Sequence, residues 1–195
     1  MFDTTTDEVR FAIEALRKGA ALAQMVQAVP AMAKTDHSPV TVADFGVQAL
    51  AGRLLADHFP EASLIAEEGS AQLRDAAETL DEVTQFTRRF FPEADGAAVC
   101  SWIDRGATEA AESYWTLDPI DGTKGFLRGG QYAVALARVV EGEVALGGLA
   151  CPNLEVDCRP AALGEGVLIV AKRGEGAWAT SLHDENAEFT RLKVS

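Results

Sequence analysis

Cysteine and histidine are too few and too scattered in this sequence to predict a zinc site or a disulfide framework. There are three of each, and none forms a Cys-x-x-Cys pair or has the short His spacing of a zinc site. We therefore expect ordinary thiols in a reducing compartment, and structural or solvent-facing imidazoles. The residues concerned are Cys100, Cys151, Cys158, His37, His58 and His183.

Long uncharged apolar stretches and an excess of positive charge are also missing. No run is long enough to span a bilayer, and the start, Met1-Phe2-Asp3-Thr4, has no basic segment followed by an apolar block. We therefore expect no membrane association, no signal peptide and a cytoplasmic location. The chain carries 17 basic and 30 acidic residues, a net charge of −13. Nucleic-acid binding requires a basic face, so this balance argues against it.

The chain is long enough for one domain with a real hydrophobic core. It has 195 residues, 48 % of them apolar, and no internal repeat, low-complexity tract or clear linker. Apolar residues recur at three- and four-residue steps near the N-terminus, which is typical of helices. The pattern predicts helices over about 5–29, 41–58 and 72–91, with 34–39 and most of 92–112 as loops.

Strand patterns dominate the second half of the sequence. Glu141-Gly142 and Gly174-Glu175-Gly176 each separate two apolar runs, which indicates hairpins. The pair of glycines at 174 and 176 is interpreted as a turn, since no helix start follows it. Because helices come early and strands late, we predict an α+β fold with the helices on one face of a largely antiparallel sheet. The predicted strands are 63–66, 114–117, 132–140, 143–150, 167–171, 177–180 and 189–194.

Carboxylates occur where the chain is predicted to change direction. Asp44 lies in the first turn of the second helix, Glu67 and Glu68 follow a strand, and Asp118 and Asp121 follow another. Hard divalent cations prefer oxygen ligands of this kind. Mg²⁺ typically takes only a few carboxylates and keeps positions for water and phosphate oxygens.

The run from Asp118 to Thr123 suits a metal site mechanically. Pro119 restricts the backbone after the strand, so that two aspartates and the Ile120 carbonyl can face one point. Gly122 permits a tight path, and the amides after it can face an anion. A helix starting at Gly122-Thr123 would favour phosphate at its N-terminus.

Each of these features also has an ordinary structural interpretation. Asp44 could complete a helix cap begun at Thr41, and the two glutamates could form a solvated strand end. Asp-Pro-x-Asp-Gly could be a simple turn. Lys124 and Arg128 are either surface charges or phosphate-facing groups. The occurrence of all these features together in one chain favours a metal site over the separate structural interpretations.

Three motifs are similar to those of the inositol monophosphatase superfamily. Within it the sequence most resembles the 3'(2'),5'-bisphosphate nucleotidases, over about 8–195. The longer segment 71–112 and the continuation after the main motif favour that branch. The three motifs are Lys34–Asp44 (KTDHSPVTVAD), Ala66–Ser70 (AEEGS) and Trp115–Gly130 (WTLDPIDGTKGFLRGG). Two further stretches, Gln131–Leu136 (QYAVAL) and Cys151–Leu154 (CPNL), favour the nucleotidase branch.

The resemblance implies roles for matching residues. Glu67, Asp118, Asp121, the Ile120 carbonyl and Asp44 would belong to a site for two or three Mg²⁺ ions. Thr123, with Asp44 or Glu67, would orient and deprotonate the attacking water. Gly122 and Thr123 would contact a small anionic phosphorylated substrate. Lithium sensitivity is implied in the same way.

The implied activity is magnesium-dependent hydrolysis of the 3'-phosphate of 3'-phosphoadenosine 5'-phosphate, giving AMP. Two alternatives remain: an inositol phosphate or sugar bisphosphate as substrate, and a chain that is inactive by itself. The second arises because full-length relatives continue for another hundred-odd residues, with a further metal-binding aspartate and most base contacts.

The resemblance also implies how much of the fold is present. We expect residues 1–195 to form the N-terminal metal-binding domain, the first layer of the αβαβα sugar-phosphatase fold, without the second αβ domain. The face that meets that domain in relatives should be apolar and should promote self-association.

Overall fold

The computed structural model describes residues 2–28, 39–107, 111–155 and 165–193. Within these ranges the chain forms six helices and seven strands. The helices are α1 (Asp7–Gln27), α2 (Pro39–His58), α3 (Ser70–Arg74), α4 (Ala77–Thr87), α5 (Gly96–Asp104) and α6 (Thr123–Leu127). The strands are β1 (Ser63–Ala66), β2 (Ser113–Asp121), β3 (Ala133–Val140), β4 (Glu143–Cys151), β5 (Val167–Lys172), β6 (Gly176–Ser181) and β7 (Thr190–Arg191).

The seven strands form one sheet in the order in which they occur along the chain. β1 pairs with β2 in parallel, and every other neighbouring pair is antiparallel. Both predicted hairpins are present. Glu141 and Gly142 have φ of 53° and 78°, the left-handed pair that a tight two-residue hairpin turn requires. The predicted α+β class with a largely antiparallel sheet is confirmed.

The two long helices cover one face of the sheet. α1 packs on β3, β4 and β5, while α2 packs on α1 and β2. α1 lies close to β4, since a Cβ added to Gly148 would lie 2.4 Å from Cδ1 of Leu16. Leu136, Leu146 and Leu168 point towards the helices and are buried in a single hydrophobic core.

The opposite face of the sheet carries no helix from the described part of the chain. Its side chains are mostly small, and they border a shallow depression of about 380 Å³. Leu149 is 38 % exposed there. The lining of this depression is mostly apolar. We call it the open face; it consists of Thr116, Asp118, Ala135, Ala137, Gly147, Leu149, Ile169 and Ala171.

Two predictions between β1 and β2 were wrong. The helix expected over 72–91 is two helices, α3 and α4, because Ala76 has a non-helical backbone with φ −115° and ψ 73°. The loop expected over 92–112 contains α5, whose N-cap residue Asp95 accepts a hydrogen bond from the Ala98 amide. The apolar period continues across the break at Ala76, so periodicity alone does not reveal it.

Other element ends differ by a few residues. α2 starts at Pro39 rather than near 41, which places Asp44 in its second turn instead of its first. The last predicted strand is reduced to Thr190–Arg191. The predicted loop 34–39 falls, except for Pro39, outside the described residues.

None of the helices in the described ranges is both long enough and apolar enough to cross a bilayer.

Candidate metal and phosphate site

The parallel pairing of β1 with β2 brings two acidic segments to one edge of the sheet. Ala66 is opposite Leu117, so Glu67, which follows β1, is brought next to Asp118 near the carboxyl end of β2. Ligands commonly bind beyond this end of parallel strands. The prediction that each carboxylate follows a strand is therefore correct for Glu67, whereas Asp118 lies within the strand.

β2 continues through the aspartate motif and contains an irregularity there. Asp118 is paired with Ala135 and Asp121 with Ala133, so three steps on β2 face two on β3. Such a bulge bends a strand and redirects its side chains. Pro119, which lacks a backbone donor, is tolerated at this position. The expectation that β2 ends at Leu117 was wrong because the motif itself forms the bulged end of the strand.

Asp44 reaches the same region from α2, which packs on β2. Its side chain is half-buried. Burial and the nearby charges of Glu68, Asp118 and Glu67 raise the pKa of Asp44 to about 7. Asp44 is therefore part of an acidic cluster rather than a helix cap.

The electrostatic environment of the neighbouring acids is similar. Burial and the charges of Glu67 and Asp121 raise the pKa of Asp118, although the Ile120 amide opposes this by donating a hydrogen bond to it. Burial and the charge of Glu67 raise the pKa of Glu68. These five carboxylates, Asp44, Glu67, Glu68, Asp118 and Asp121, thus repel one another, and we call them the acidic cluster.

No lysine or arginine in the described ranges forms an ion pair with the acidic cluster. Nor do any three His, Cys, Asp or Glu side chains there converge tightly enough to hold a metal ion by themselves. Hard oxygen donors with uncompensated negative charge fit Mg²⁺, which completes its shell with water and substrate phosphate rather than an all-protein cage. In donor chemistry, the cluster therefore suits the expected ion.

The segment after the bulge forms a short helix. Gly122 is its N-cap residue, with a left-handed backbone at φ 93°, and α6 begins at Thr123. Thr123 is exposed, and its hydroxyl forms no hydrogen bond with Asp44 or Glu67. Its predicted role with one of these acids in orienting a water stays a prediction. Lys124 and Arg128 are both exposed.

Glu68 has a larger part in the cluster than the sequence suggested. Among neighbouring charges, it has the largest effect on Asp44, ahead of Asp118 and Glu67. From the sequence, Glu68 had no assigned role beyond its place in the Glu-Glu pair. The difference between Glu68 and Glu67 in their effect on Asp44 depends on the conformation of the turn after β1, which the apolar periodicity does not predict.

Comparison with known sequences identifies relatives along nearly the whole chain. The inositol monophosphatase family model matches residues 3–195. The chain is 36 % identical over 208 aligned positions to the 3'(2'),5'-bisphosphate nucleotidase of Schizosaccharomyces pombe, covering 96 % of this chain and 59 % of that protein. It is 46 % identical over 138 positions to the Oryza sativa protein of the same name, covering 63 % and 38 %. The chain thus spans about half the length of these relatives.

Solved structures show the same fold. Thermotoga maritima IMPase TM1415 matches with a TM-score of 0.57 and 23 % identity, covering 97 % of this chain and 54 % of that one. CysQ from Bacteroides thetaiotaomicron, a bacterial member of the inositol monophosphatase family, matches with a TM-score of 0.56 and 21 % identity, covering 95 % and 57 %.

Proposed function

Because this chain belongs to the inositol monophosphatase family, we propose that it supplies the metal-holding half of a magnesium-dependent phosphomonoesterase. The proposed reaction removes the 3'-phosphate of 3'-phosphoadenosine 5'-phosphate, giving AMP and phosphate. The nucleotide is chosen because several relatives at 35–46 % identity are named 3'(2'),5'-bisphosphate nucleotidases. Lithium sensitivity and a cytoplasmic location belong to the same proposal, as does the absence of nucleic-acid and membrane partners.

The observation that supports this function best is the acidic cluster, which forms no ion pair with any lysine or arginine in the described part of the chain. An anionic substrate would be repelled by these carboxylates, so the site requires cations before it can bind phosphate. Two or three Mg²⁺ ions, held by Glu67, Asp118, Asp121, Asp44 and the Ile120 carbonyl, are proposed to meet that requirement. When bound, such ions lower the pKa of water and stabilise charge on the entering and leaving oxygens.

Side chains and backbone groups of this chain are proposed to accept the proton of the attacking water and to orient the water and the phosphate. Asp44 would accept a proton from the attacking water. Glu67 and the Thr123 hydroxyl would hold that water in line with the phosphorus. The backbone at Gly122 and Thr123 would contact phosphate oxygens. Phosphoryl transfer needs little covalent chemistry, so positioning and charge neutralisation account for most of the rate.

The function is tested by measuring phosphate release with and without Mg²⁺. Both the 195-residue chain and the protein translated from the whole reading frame are assayed with the nucleotide and with inositol 1-phosphate. We expect the whole protein to have a higher kcat/KM for the nucleotide than for inositol 1-phosphate. We also expect its activity to require Mg²⁺. The 195-residue chain should be slower by several powers of ten, because transition-state positioning depends on the whole site.

Two results would count against the proposal. If the whole protein releases no phosphate from the nucleotide with Mg²⁺ present, the proposed activity is wrong. If kcat/KM is higher for inositol 1-phosphate, the reaction class is retained and the proposed substrate is wrong.

The open face is proposed to bind a second copy of the 195-residue chain. It is shallow, mostly apolar and uncovered by the described part of the chain, and such patches promote association. We expect light scattering to show a mass that rises with concentration. Leu149→Lys should shift the profile towards the monomer by placing a charge at the centre of the face.

A matched control is available for this association. Leu127 on α6 is 53 % exposed and lies outside the open face. Leu127→Lys should therefore leave the association unchanged. A monomeric wild-type chain at every concentration would show that the open face does not pair.

A further inference from the structure

The side chain of Gln48 connects α2, the turn after β1 and the end of α5. It is completely buried, at 0 % exposure. Its Nε2 donates to the Glu68 carbonyl at 2.6 Å and to the Ile103 carbonyl at 2.9 Å. Its Oε1 accepts from the Glu68 amide at 3.0 Å. One amide side chain therefore satisfies both backbone polar groups of Glu68.

The position of Gln48 on its helix relates this contact to the acidic cluster. It is four residues after Asp44, so the two side chains lie on the same face of α2, one turn apart. Asp44 enters the cluster from that face, and Gln48 holds the adjoining backbone of Glu68. A single helix thus controls the distance between Asp44 and the Glu67-Glu68 turn.

The same turn is held on either side by the region that ends α5. Before it, the Ala66 amide donates to the Gly106 carbonyl at 3.0 Å. After it, Asp104 accepts hydrogen bonds from the Ser70 amide at 3.0 Å and the Ser70 hydroxyl at 2.7 Å. Between these two anchors, the Gln48 side chain forms hydrogen bonds with the backbone of Glu68.

The space around the Gln48 amide is also tightly filled. A Cβ on Gly106 would lie 2.6 Å from Nε2 of Gln48. The absence of a side chain at Gly106 therefore lets the amide reach both of its acceptor carbonyls.

We infer that Gln48 is a positioning residue for the acidic cluster, holding the Glu67-Glu68 turn at the distance from Asp44 that cation binding requires. The inference rests on the proposed function, since it assigns Gln48 to the proposed metal centre. Groups that orient metal ligands without touching the metal typically change affinity by about 10- to 100-fold when they are replaced.

If Gln48 only stabilised the fold, replacing it would lower Tm without a specific effect on cation binding. A matched control variant distinguishes that structural role from the positioning role. Thr87 on α4 is also fully buried, and its hydroxyl donates to the Val83 carbonyl at 2.8 Å. α4 carries none of the candidate ligands. Gln48→Met and Thr87→Val each replace a buried hydrogen-bonding side chain with an apolar one of similar size.

Three measurements on the 195-residue chain test the inference: the Kd for Mn²⁺ by calorimetry, hydrogen exchange of the Glu68 amide, and Tm without metal. Mn²⁺ is used because it takes the same oxygen ligands as Mg²⁺. Both variants should lower Tm. Gln48→Met should also raise the Kd about 10- to 100-fold and speed exchange at Glu68, whereas Thr87→Val should do neither.

A second variant approaches the same contact from the other side. Gly106→Ala should displace the Gln48 amide without removing it, and should raise the Kd in the same direction. This variant keeps the inference testable if Gln48→Met does not fold.

The outcomes separate the inference from the proposed function. If the wild-type chain binds Mn²⁺ and Gln48→Met binds it with the same Kd, the positioning role is refuted and the metal centre stands. If the wild-type chain binds no Mn²⁺, the proposed metal centre and the inference fail together.

Discussion

Replacing Asp44 by asparagine is expected to stabilise the metal-free chain above pH 7 and to weaken Mn²⁺ binding by about 100-fold or more. The pKa of Asp44 is raised from its ordinary value of 3.8 to about 7 by burial and by three neighbouring carboxylates. At about 1.4 kcal/mol per pH unit, this pKa shift means that ionised Asp44 destabilises the folded chain by at most roughly 4 kcal/mol. Solvent screening of a half-buried group reduces it to about 2 kcal/mol.

The sign of the pH dependence follows from the proton count. Between pH 3.8 and about 7 the unfolded chain has released the Asp44 proton while the folded chain retains it. Unfolding therefore releases a proton, and stability falls as pH rises through this window. Below the ordinary pKa both states are protonated, so Asp44→Asn should have little effect near pH 3.

Urea unfolding with EDTA at pH 3 and pH 8, followed by calorimetry with Mn²⁺, checks both parts of this prediction. Asp81→Asn is the control, because Asp81 is exposed on α4 and accepts a hydrogen bond from Gln85 of the same helix. It should change stability by less than about 0.5 kcal/mol. A loss of stability at pH 8 in the Asp44 variant would contradict the electrostatic account.

Gly125→Ala is expected to destabilise the chain by about 3 kcal/mol or more. A Cβ at this position would lie 1.7 Å from the carbonyl oxygen of Gln131, a backbone atom in the segment just before β3. The same substitution in an unhindered helix would normally stabilise by about 0.5–1 kcal/mol. We expect the steric cost of the added Cβ at Gly125 to exceed this normal stabilisation, because overpacking a close contact is destabilising.

Urea unfolding of Gly125→Ala beside Gly147→Ala makes the comparison. At Gly147 the added Cβ would meet only Cγ1 of Val144, at an ordinary contact distance of 3.7 Å. That variant should stay within about 0.5 kcal/mol of the wild type. Equal midpoints for the two variants would show that α6 can move away from Gln131 at little cost.

The parts of the site that follow from strand ends could be predicted from the sequence. Glu67 comes after an apolar run of four residues, and Asp118 near the end of another, so their meeting at one edge needed only the pairing of the two strands. The start of α6 was equally accessible, since Gly122 and Thr123 are typical of a tight turn into a helix. Local chemistry determines these features.

The missed parts depend on contacts between distant residues. Gln48 looks like an ordinary polar position in a helix until the turn at Glu68 and the end of α5 are placed around it. The break at Ala76 is similar, because the apolar pattern continues across it. α5 itself could have been found: Asp95 is a good N-cap residue, and Val99 and Ile103 are four apart. The metal and substrate roles of the acidic cluster stay predictions.

The sequential order of the sheet has a consequence for how this chain folds. From β2 to β7, each strand pairs only with strands adjacent to it in sequence, and no later strand is inserted between earlier ones. Two of these closures, β3–β4 and β5–β6, are short hairpins, and the other three have connections much shorter than that between β1 and β2, so their entropic cost is smaller. The long closure is that of β1 on β2, which encloses α3, α4 and α5. We infer that the antiparallel strands can assemble in the order of synthesis, with the β1–β2 pairing, and hence the alignment of Glu67 with Asp118, as the slower step.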